Sequence, residues 1–260
     1  LWIGQFFSMI GSGLTSFALG IYILQKTGSV TNFTMLLICI FLPSVIIKPF
    51  GGVLADRFDR RIMMFIGDFG AGIGTLVILL MMDYFQAGLW FIYLGIIISS
   101  VSGALQEPAY KASVTDLLPK DLYGKASGLM QLANSSQYLI SPFIAGILLS
   151  LYDIKLIFLL DIATFVLALI TILWVRKSIV KVNSNQKVNK FLEDFKEGIS
   201  ELAKQKGVFQ LVILTMLVLF FVGLLQSLFA PMLLSLTDVK TVGIIHSVIA
   251  SGMIFGSLVI

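Results

Sequence analysis

The sequence is poor in the side chains on which enzymes and nucleic-acid-binding proteins usually depend. Only 12% of its 260 residues are charged, whereas a soluble chain carries about 25%. Cys39 is the only cysteine and His246 the only histidine, which excludes a disulfide framework and a cysteine metal site. There is no Gly-x-x-x-x-Gly-Lys-Ser/Thr loop of the kind that binds phosphate. We therefore predict no enzymatic activity, no catalytic residue, no metal and no cofactor.

What the sequence has instead is apolar length. Hydrophobic residues make up 58% of the chain, and the mean hydropathy is +0.99. A bilayer core of about 30 Å is crossed by a helix of roughly 20 apolar residues. Runs of that kind recur at 1–24, 33–55, 62–82, 88–107, 124–150, 155–175, 208–235 and 241–260. The composition predicts an all-α, polytopic membrane protein, and since both chain ends lie in apolar runs, we expect it to be part of a longer protein.

The basic residues are distributed unevenly between alternate loops. The loops at 56–61, 108–125 and 176–207 contain fourteen lysines and arginines, and the loops between them contain three, namely Lys26, Lys155 and Lys240. Loops rich in lysine and arginine stay in the cytoplasm. The distribution predicts a multi-pass protein of the cell membrane whose basic loops are cytoplasmic. The formal charge of +4 then reflects topology, so we expect no nucleic-acid partner.

The longest loop divides the chain after six spans. We expect residues 1–175 to form a six-helix N-terminal half, 176–207 a cytoplasmic connector, and 208–260 the first two helices of a C-terminal half. Within the connector, an amphipathic helix is predicted whose apolar face contains Phe191, Phe195, Ile199 and Leu202. Parallel six-span halves, each built of inverted three-span repeats, are typical of one large class of transporters.

The segment GGVLADRFDRR, residues 51–61, lies between spans 2 and 3. It resembles the signature loop of the major facilitator superfamily, Gly-x-x-x-Asp-Arg/Lys-x-Gly-Arg/Lys-Arg/Lys. The matching positions are Gly52, Asp56, Arg57, Arg60 and Arg61, and Asp59 stands where a glycine is usual. The resemblance implies that this cluster latches the two halves in one state of the transport cycle, with Gly52 permitting close helix approach. The alternative is a plain charge cluster that only sets topology.

Two longer segments, LWIGQFFSMIGSGLTSFAL and EPAYKASVTDLLPKDLYGKASGL, resemble the branch of that family that contains macrolide efflux proteins and the enterobactin exporter. Ser141-Pro142 and Gly146 resemble the branch's Gly-Pro-x-x-x-Gly element.

The resemblance implies a twelve-span secondary transporter, about four spans of which lie outside this chain. It implies proton-coupled efflux of small amphiphilic compounds (drugs, macrolides or siderophores) by alternating access. The expected partners are the lipid bilayer, the substrate and protons, and the expected state is a monomer. Span 4 lacks the arginine often found in proton-driven drug exporters.

Ionisable residues inside predicted spans are costly, so each marks function or an internal pair. The candidates for proton or charge coupling are Lys48, Asp68, Glu107, Asp161 and His246. Lys48 and Asp68 lie at the same predicted depth on consecutive helices, which predicts that they pair, unless Lys48 extends to the headgroups instead. Asp161 is either a proton-titrating group or part of a helix contact. His246 is either a coupling group or a packed, neutral histidine.

Small residues recur every four positions in spans 1 and 4, a pattern that serves close helix packing or lines a cavity. The candidate cavity-lining residues are Gln5, Ser12, Thr15, Ser99, Asn134, Gln137 and Gln226.

Two other functions remain open. One is a lysophospholipid transporter of the same fold, and the other is a non-transporting membrane receptor or enzyme.

Overall fold

The computed structural model describes residues 1–84, 88–175, 200 and 204–259. Its helices are α1 (Trp2–Thr27), α2 (Val30–Arg57), α3 (Arg60–Tyr84), α4 (Leu89–Leu117), α5 (Tyr123–Leu151), α6 (Ile154–Val175), α7 (Lys206–Leu236) and α8 (Val239–Val259). The first seven are long and apolar enough to cross a membrane. The predicted all-α membrane fold is confirmed. The amphipathic helix predicted in the connector lies outside the described residues.

The connections between helices are short, and local chemistry explains where they fall. Gly28 ends α1 in the left-handed conformation, with φ of 60°, which glycine adopts without a steric penalty. Ser29 follows directly and caps α2, because its hydroxyl accepts a hydrogen bond from the Asn32 amide at 3.4 Å. A turn of two residues therefore joins two antiparallel helices.

The end of α4 differs from the prediction. Span 4 was expected to end at residue 107, with a loop over 108–125, but the helix continues through Pro108 to Leu117. The ion pair between Glu107 and Lys111, at 2.7 Å, spans one turn of this extension and stabilises it. The loop is reduced to residues 118 and 119 and a short 3₁₀ turn, Lys120–Leu122.

The first six helices pack in a pattern with internal symmetry. Helix α4 packs along α2 and α3, α1 packs along α5 and α6, and α3 packs on α6. Exchanging α1 with α4, α2 with α5, and α3 with α6 leaves this pattern unchanged. Because each set of three helices crosses the membrane an odd number of times, the two sets are oppositely oriented. The first half is therefore an inverted repeat.

We call α1 to α6 the first half and α7 and α8 the second half, and the described contacts between the two differ along the bundle. We call the end with residues 56–61 and 118–122 the basic end and the other the opposite end. In α7, every described side chain from Lys206 to Gln226 is exposed except Val212. Toward the opposite end, Ala230 is buried with Leu24 and Phe33 of the first half. Helix α8 packs along α5.

Candidate functional site

The signature segment forms a tight connection between α2 and α3. Helix α2 runs to Arg57, and the Phe58 amide closes it by donating to the Leu54 carbonyl at 2.7 Å. The Asp59 carboxylate accepts from the Arg61 amide at 3.0 Å, and the Asp59 carbonyl accepts from the Ile62 amide at 3.0 Å. The residue that departs from the family pattern therefore caps α3.

The Arg60 guanidinium connects α2 to α4. Its Nε donates to the Ala55 carbonyl and its Nη1 to the Ala112 carbonyl, both at 3.1 Å. Ala55 lies in the last turn of α2, where free acceptors and the negative end of the helix dipole attract a cation, and Ala112 lies five residues before the end of α4. One signature arginine thus fixes the ends of two helices. The side chains of Asp56 and Arg57 lie outside the described part of the structure.

The glycine that allows close packing here is Gly51. A Cβ on Gly51 would lie 2.8 Å from the Ala104 carbonyl oxygen and 3.0 Å from Pro108 of α4, whereas a Cβ on Gly52 would meet no described atom within 4 Å. The prediction that Gly52 permits the close approach is wrong for the described residues. The motif marks the right turn of the helix but not the face that α4 contacts.

Lys48 pairs with Glu107, and the predicted Lys48–Asp68 pair is wrong. Lys48 Nζ lies 2.9 Å from Glu107 Oε2, and the other carboxylate oxygen is bound by Lys111. Equal depth on consecutive helices misled the prediction, because α2 packs along α4 and makes few contacts with α3. Depth fixes one coordinate of a side chain and leaves its direction around the helix open.

Asp68 belongs to a buried chain of amides that crosses three helices. Its side chain on α3 is 3% exposed, and its Oδ2 accepts from Gln5 Nε2 of α1 at 2.7 Å. The Gln5 oxygen accepts in turn from Gln106 Nε2 of α4. Gln5 was expected to line a cavity, but it is 2% exposed. Its role in this structure is to hold the Asp68 carboxyl inside the first half.

Asp161 of α6 is 1% exposed and is held by threonines from two other helices. Its Oδ2 accepts from Thr15 of α1 at 2.6 Å and from Thr75 of α3 at 3.2 Å. Its Oδ1 has no hydrogen-bond partner among the described residues. Thr15, a predicted cavity residue, is buried and faces this carboxyl instead. The site is a junction of α1, α3 and α6 with one ionisable group at its centre.

The two buried acids occupy corresponding places in the inverted repeat. Asp68 is the eighth residue after the start of α3 and Asp161 the seventh after the start of α6. A phenylalanine precedes each acid by three positions, Phe65 in one case and Phe158 in the other. Their partners differ, since amides hold one acid and hydroxyls the other.

His246 lies where the two halves meet. Its ring centroid is 5.7 Å from that of Phe17 on α1 and 5.6 Å from that of Phe229 on α7, in edge-on arrangements. Its Nε2 is buried and has no hydrogen-bond partner among the described residues. The position fits the packed histidine that was one of the two alternatives.

Further contacts between the halves lie nearer the opposite end. The hydroxyls of Thr34 on α2 and Ser227 on α7 are 3.1 Å apart, and Ser247 of α8 donates to the Leu139 carbonyl of α5 at 2.6 Å. No periodicity in the sequence indicated these hydroxyl contacts. They join α7 to α2 and α8 to α5.

The other predicted cavity residues are placed as follows. Ser99 donates to the Ala71 carbonyl at 3.0 Å, so it serves the packing of α4 on α3. Gln137 packs at Gly13 of α1. Ser12 and Asn134 are partly buried, and Gln226 is exposed. Sequence analysis missed Thr75 and Gln106, which bind their partners from buried positions, and it named Ser141 without its hydrogen bond to the Ile10 carbonyl.

An apolar cavity of about 350 Å³ opens at the basic end between α1, α4 and α5. Its lining residues are Leu1, Trp2, Tyr110, Val114, Leu118, Leu122, Lys125, Ala126, Leu129 and Met130. Pockets that bind small molecules have volumes of roughly 300–1,000 Å³ and mostly apolar walls.

Across the described ranges, no group of three or more His, Cys, Asp or Glu side chains could hold a metal ion.

The chain resembles known transporters over its whole length. Residues 1–260 match the profile of the Major Facilitator Superfamily. The chain is 28% identical to Macrolide efflux protein A of Streptococcus pyogenes, covering 100% of this chain and 65% of that protein. It is 27% identical to Multidrug resistance protein MdtG of Rahnella sp. (strain Y9602), covering 84% of this chain and 52% of that protein.

A solved structure of a POT family transporter bound to a thioalcohol-conjugated peptide has the same fold. Its TM-score is 0.60 at 19% identity, covering 85% of this chain and 46% of that one. This chain spans 65% of the length of the macrolide efflux relative. A profile match over every residue, seven apolar helices of membrane-spanning length among the described residues and an inverted repeat agree. The chain is a multi-pass membrane protein that belongs to the major facilitator superfamily.

Proposed function

We propose that the protein exports small amphiphilic compounds in exchange for protons, by alternating access. The observation that carries the proposal is where α7 meets the first six helices. Its described contacts with them lie toward the opposite end, at Ala230 with Leu24 and Phe33 and at Ser227 with Thr34. Contacts at that end are expected of a transporter open at its basic end.

The contacts at the opposite end suit a seal that opens and closes. They are made by hydroxyls (Thr34 with Ser227, and Ser247 with a carbonyl) and by the glycines Gly146 and Gly243. Hydroxyls exchange partners with water at little net cost, and the apolar contact of Ala230 with Leu24 and Phe33 beside them is small. We infer that this surface separates when the basic end closes.

The surfaces near the basic end support an amphiphilic substrate. Ile3 and Phe7 of α1 and Leu129 and Leu132 of α5 are exposed, and the apolar cavity lies beside them. Mostly apolar walls suit compounds with large apolar parts. The names of the macrolide efflux and multidrug resistance relatives support the same substrate class and the outward direction.

The family points to a transporter rather than an enzyme, and the chain has no ATP-binding loop of the Walker type. We propose that a proton gradient supplies the energy. We infer that the protein lies in the cell membrane with its basic loops facing the cytoplasm, so that the substrate enters from the cytoplasmic side. A monomer suffices, because one chain contains both inverted repeats of the first half and begins the second.

The latch role of Gly52, Asp56, Arg57, Arg60 and Arg61 stays a prediction. The hydrogen bonds of Arg60 to the ends of α2 and α4 support an anchoring role for that residue. Charge removal at nearly constant shape, Asp56→Asn, should impair transport without preventing insertion. Unchanged transport at equal expression would count against the latch.

The test uses the full-length protein in proteoliposomes with an imposed pH gradient. Radiolabelled erythromycin and a fluorescent lysophospholipid are compared, and internal pH is recorded with a trapped dye. We expect erythromycin to accumulate and to dissipate the gradient, with no effect of the lysolipid. Movement of the lysolipid alone would support the lipid transporter instead, and movement of neither would overturn transport of this substrate class.

A further inference from the structure

The junction around Asp161 is built from hydroxyl groups. Thr15 and Thr75 donate to the carboxylate, and the Thr164 hydroxyl donates to the Asp161 backbone carbonyl at 2.7 Å. A Cβ on Gly11 would overlap the Thr164 hydroxyl and lie 2.7 Å from Asp161 Oδ1. Glycine at this position lets α1 approach the carboxyl closely.

Hydroxyls and amides place different constraints on a carboxyl group. A hydroxyl both donates and accepts, whereas an amide NH₂ only donates. Asp68 receives its bond from the Gln5 NH₂, and the Gln5 oxygen is already occupied by Gln106. That arrangement suits a carboxyl that only accepts. The threonines around Asp161 suit one that accepts when ionised and donates when protonated.

We propose that Asp161 carries the coupling proton, and that Thr15 and Thr75 keep it hydrogen-bonded in both protonation states. This inference rests on the proton-coupled export proposed above and names the residue that performs the coupling. It assigns a proton-binding site to the junction of α1, α3 and α6 within the first half.

The protonation step balances with one proton and one rotated hydroxyl. A proton arriving at Asp161 Oδ2 forms an O–H bond, which donates to Thr15 Oγ1. The Thr15 hydroxyl then rotates and donates to the Gly11 carbonyl, four residues earlier on α1. Thr27 and Ser113 make that bond to the fourth preceding carbonyl in this structure, each at 2.8 Å. Loss of the proton reverses both changes.

In the described part of the structure, no charged partner compensates Asp161. None of the ion pairs between described residues includes it. The charged residues of α6 and of the helices packed against it are Lys26, Arg60, Arg61, Asp68, Asp83, Lys125 and Lys155. The closest of them on α3, Asp68, lies seven residues before Thr75, about 10 Å along the helix. A buried carboxylate without a cation is costly, so proton loss changes the energy of a contact shared by three helices.

The other ionisable candidates fit the role less well. Glu107 is bound by Lys48 and Lys111 and is partly exposed, so its charge is compensated. His246 contacts aromatic rings of both halves, which suits a residue that helps to close the opposite end. Asp161 alone combines deep burial with partners that accept as well as donate.

The decisive experiment separates proton coupling from substrate movement. Full-length protein in proteoliposomes is assayed for erythromycin accumulation driven by a pH gradient and for erythromycin exchange at equal pH. We expect Asp161→Asn to reduce gradient-driven accumulation at least about tenfold, because asparagine cannot bind and release the proton. Exchange, which needs no net proton movement, should stay within about twofold of the wild type. Asp153→Asn, in an exposed turn, is the control and should retain both activities. Gradient-driven accumulation by Asp161→Asn would overturn the assignment.

Threonine variants decide the case if Asp161→Asn fails to fold. In Thr15→Val/Thr75→Val the hydroxyls are lost at constant shape, and in Thr15→Ser/Thr75→Ser they are kept. Because hydroxyl donors favour the ionised carboxyl more than the neutral one, the pH profile of accumulation should move to higher pH in the valine variant by about half a unit to one unit. The serine variant should keep the wild-type profile. Identical profiles for both variants would overturn the proposal, whereas a wild type that neither exchanges nor accumulates erythromycin would overturn the proposed function itself.

Discussion

Gly146 of α5 and Gly243 of α8 bring the two halves into backbone contact. A Cβ on Gly146 would lie 3.2 Å from Gly243 Cα, and a Cβ on Gly243 would overlap the Pro142 carbonyl oxygen. Backbone atoms cannot move aside as a flexible side chain does. This crossing has room for hydrogen only, and it fixes how closely the halves meet.

A methyl group at this crossing should destabilise the joined state. We expect Gly243→Ala to cost about 1–3 kcal/mol through overpacking and to lower the melting temperature of the purified protein. Gly252→Ala on the same helix is the matched control, because a Cβ there meets no described atom within 4 Å. Equal melting temperatures for the two variants would contradict the close crossing.

The ion pair between Lys48 and Glu107 should appear in a double-mutant cycle. For Lys48→Met and Glu107→Gln we expect a coupling energy of about 0.2–1 kcal/mol, because Lys48 is half exposed and water screens the pair. The free energy of unfolding in detergent is the measurement. The cycle of Lys48→Met with Asp68→Asn should be additive, and coupling there would restore the pairing that the structure contradicts.

Asp59 should stabilise the start of α3 although it stands where the family pattern has glycine. We expect Asp59→Ala to lower the free energy of unfolding by about 1 kcal/mol, since it removes the acceptor for the Arg61 amide. Asp59→Asn keeps an acceptor and should cost less. A larger loss in the asparagine variant would show that charge, rather than capping, is what matters at this position.

Membrane topology can be tested with two exposed positions, Asp121 near the basic end and Asp153 near the opposite end. In sealed cells, an impermeant thiol reagent should label Asp153→Cys and leave Asp121→Cys unlabelled, as positive-inside topology requires. The parent chain gives the background, since Cys39 is 4% exposed. Labelling of Asp121→Cys alone would reverse the orientation.

Helix positions were predictable because membrane spans are encoded by apolar length, which a sequence displays directly. Signature residues such as Arg60 were found for a similar reason, since their spacing is local. The direction of a side chain around its helix was not predictable. Lys48 was assigned to the wrong partner and Gly52 to a contact that Gly51 makes, because both depend on which helix lies alongside.

The hydrogen-bond chains were the least predictable feature. Gln106 and Thr75 are ordinary residues in apolar segments, and nothing near them in the sequence indicates a partner. Gln106 binds Gln5 across a separation of 101 residues, and Thr75 binds Asp161 across 86. Contacts so distant in sequence leave no local pattern.

The matching places of Asp68 and Asp161 in the inverted repeat have an evolutionary consequence. When a three-helix unit is duplicated, one copy of each side chain can keep its first task while the other is free to acquire a second. Here the change lies in the neighbours and not in the acids. A glutamine binds one carboxyl and threonines bind the other, so a few substitutions on adjoining helices suffice to give two acids at corresponding places in a repeat different surroundings.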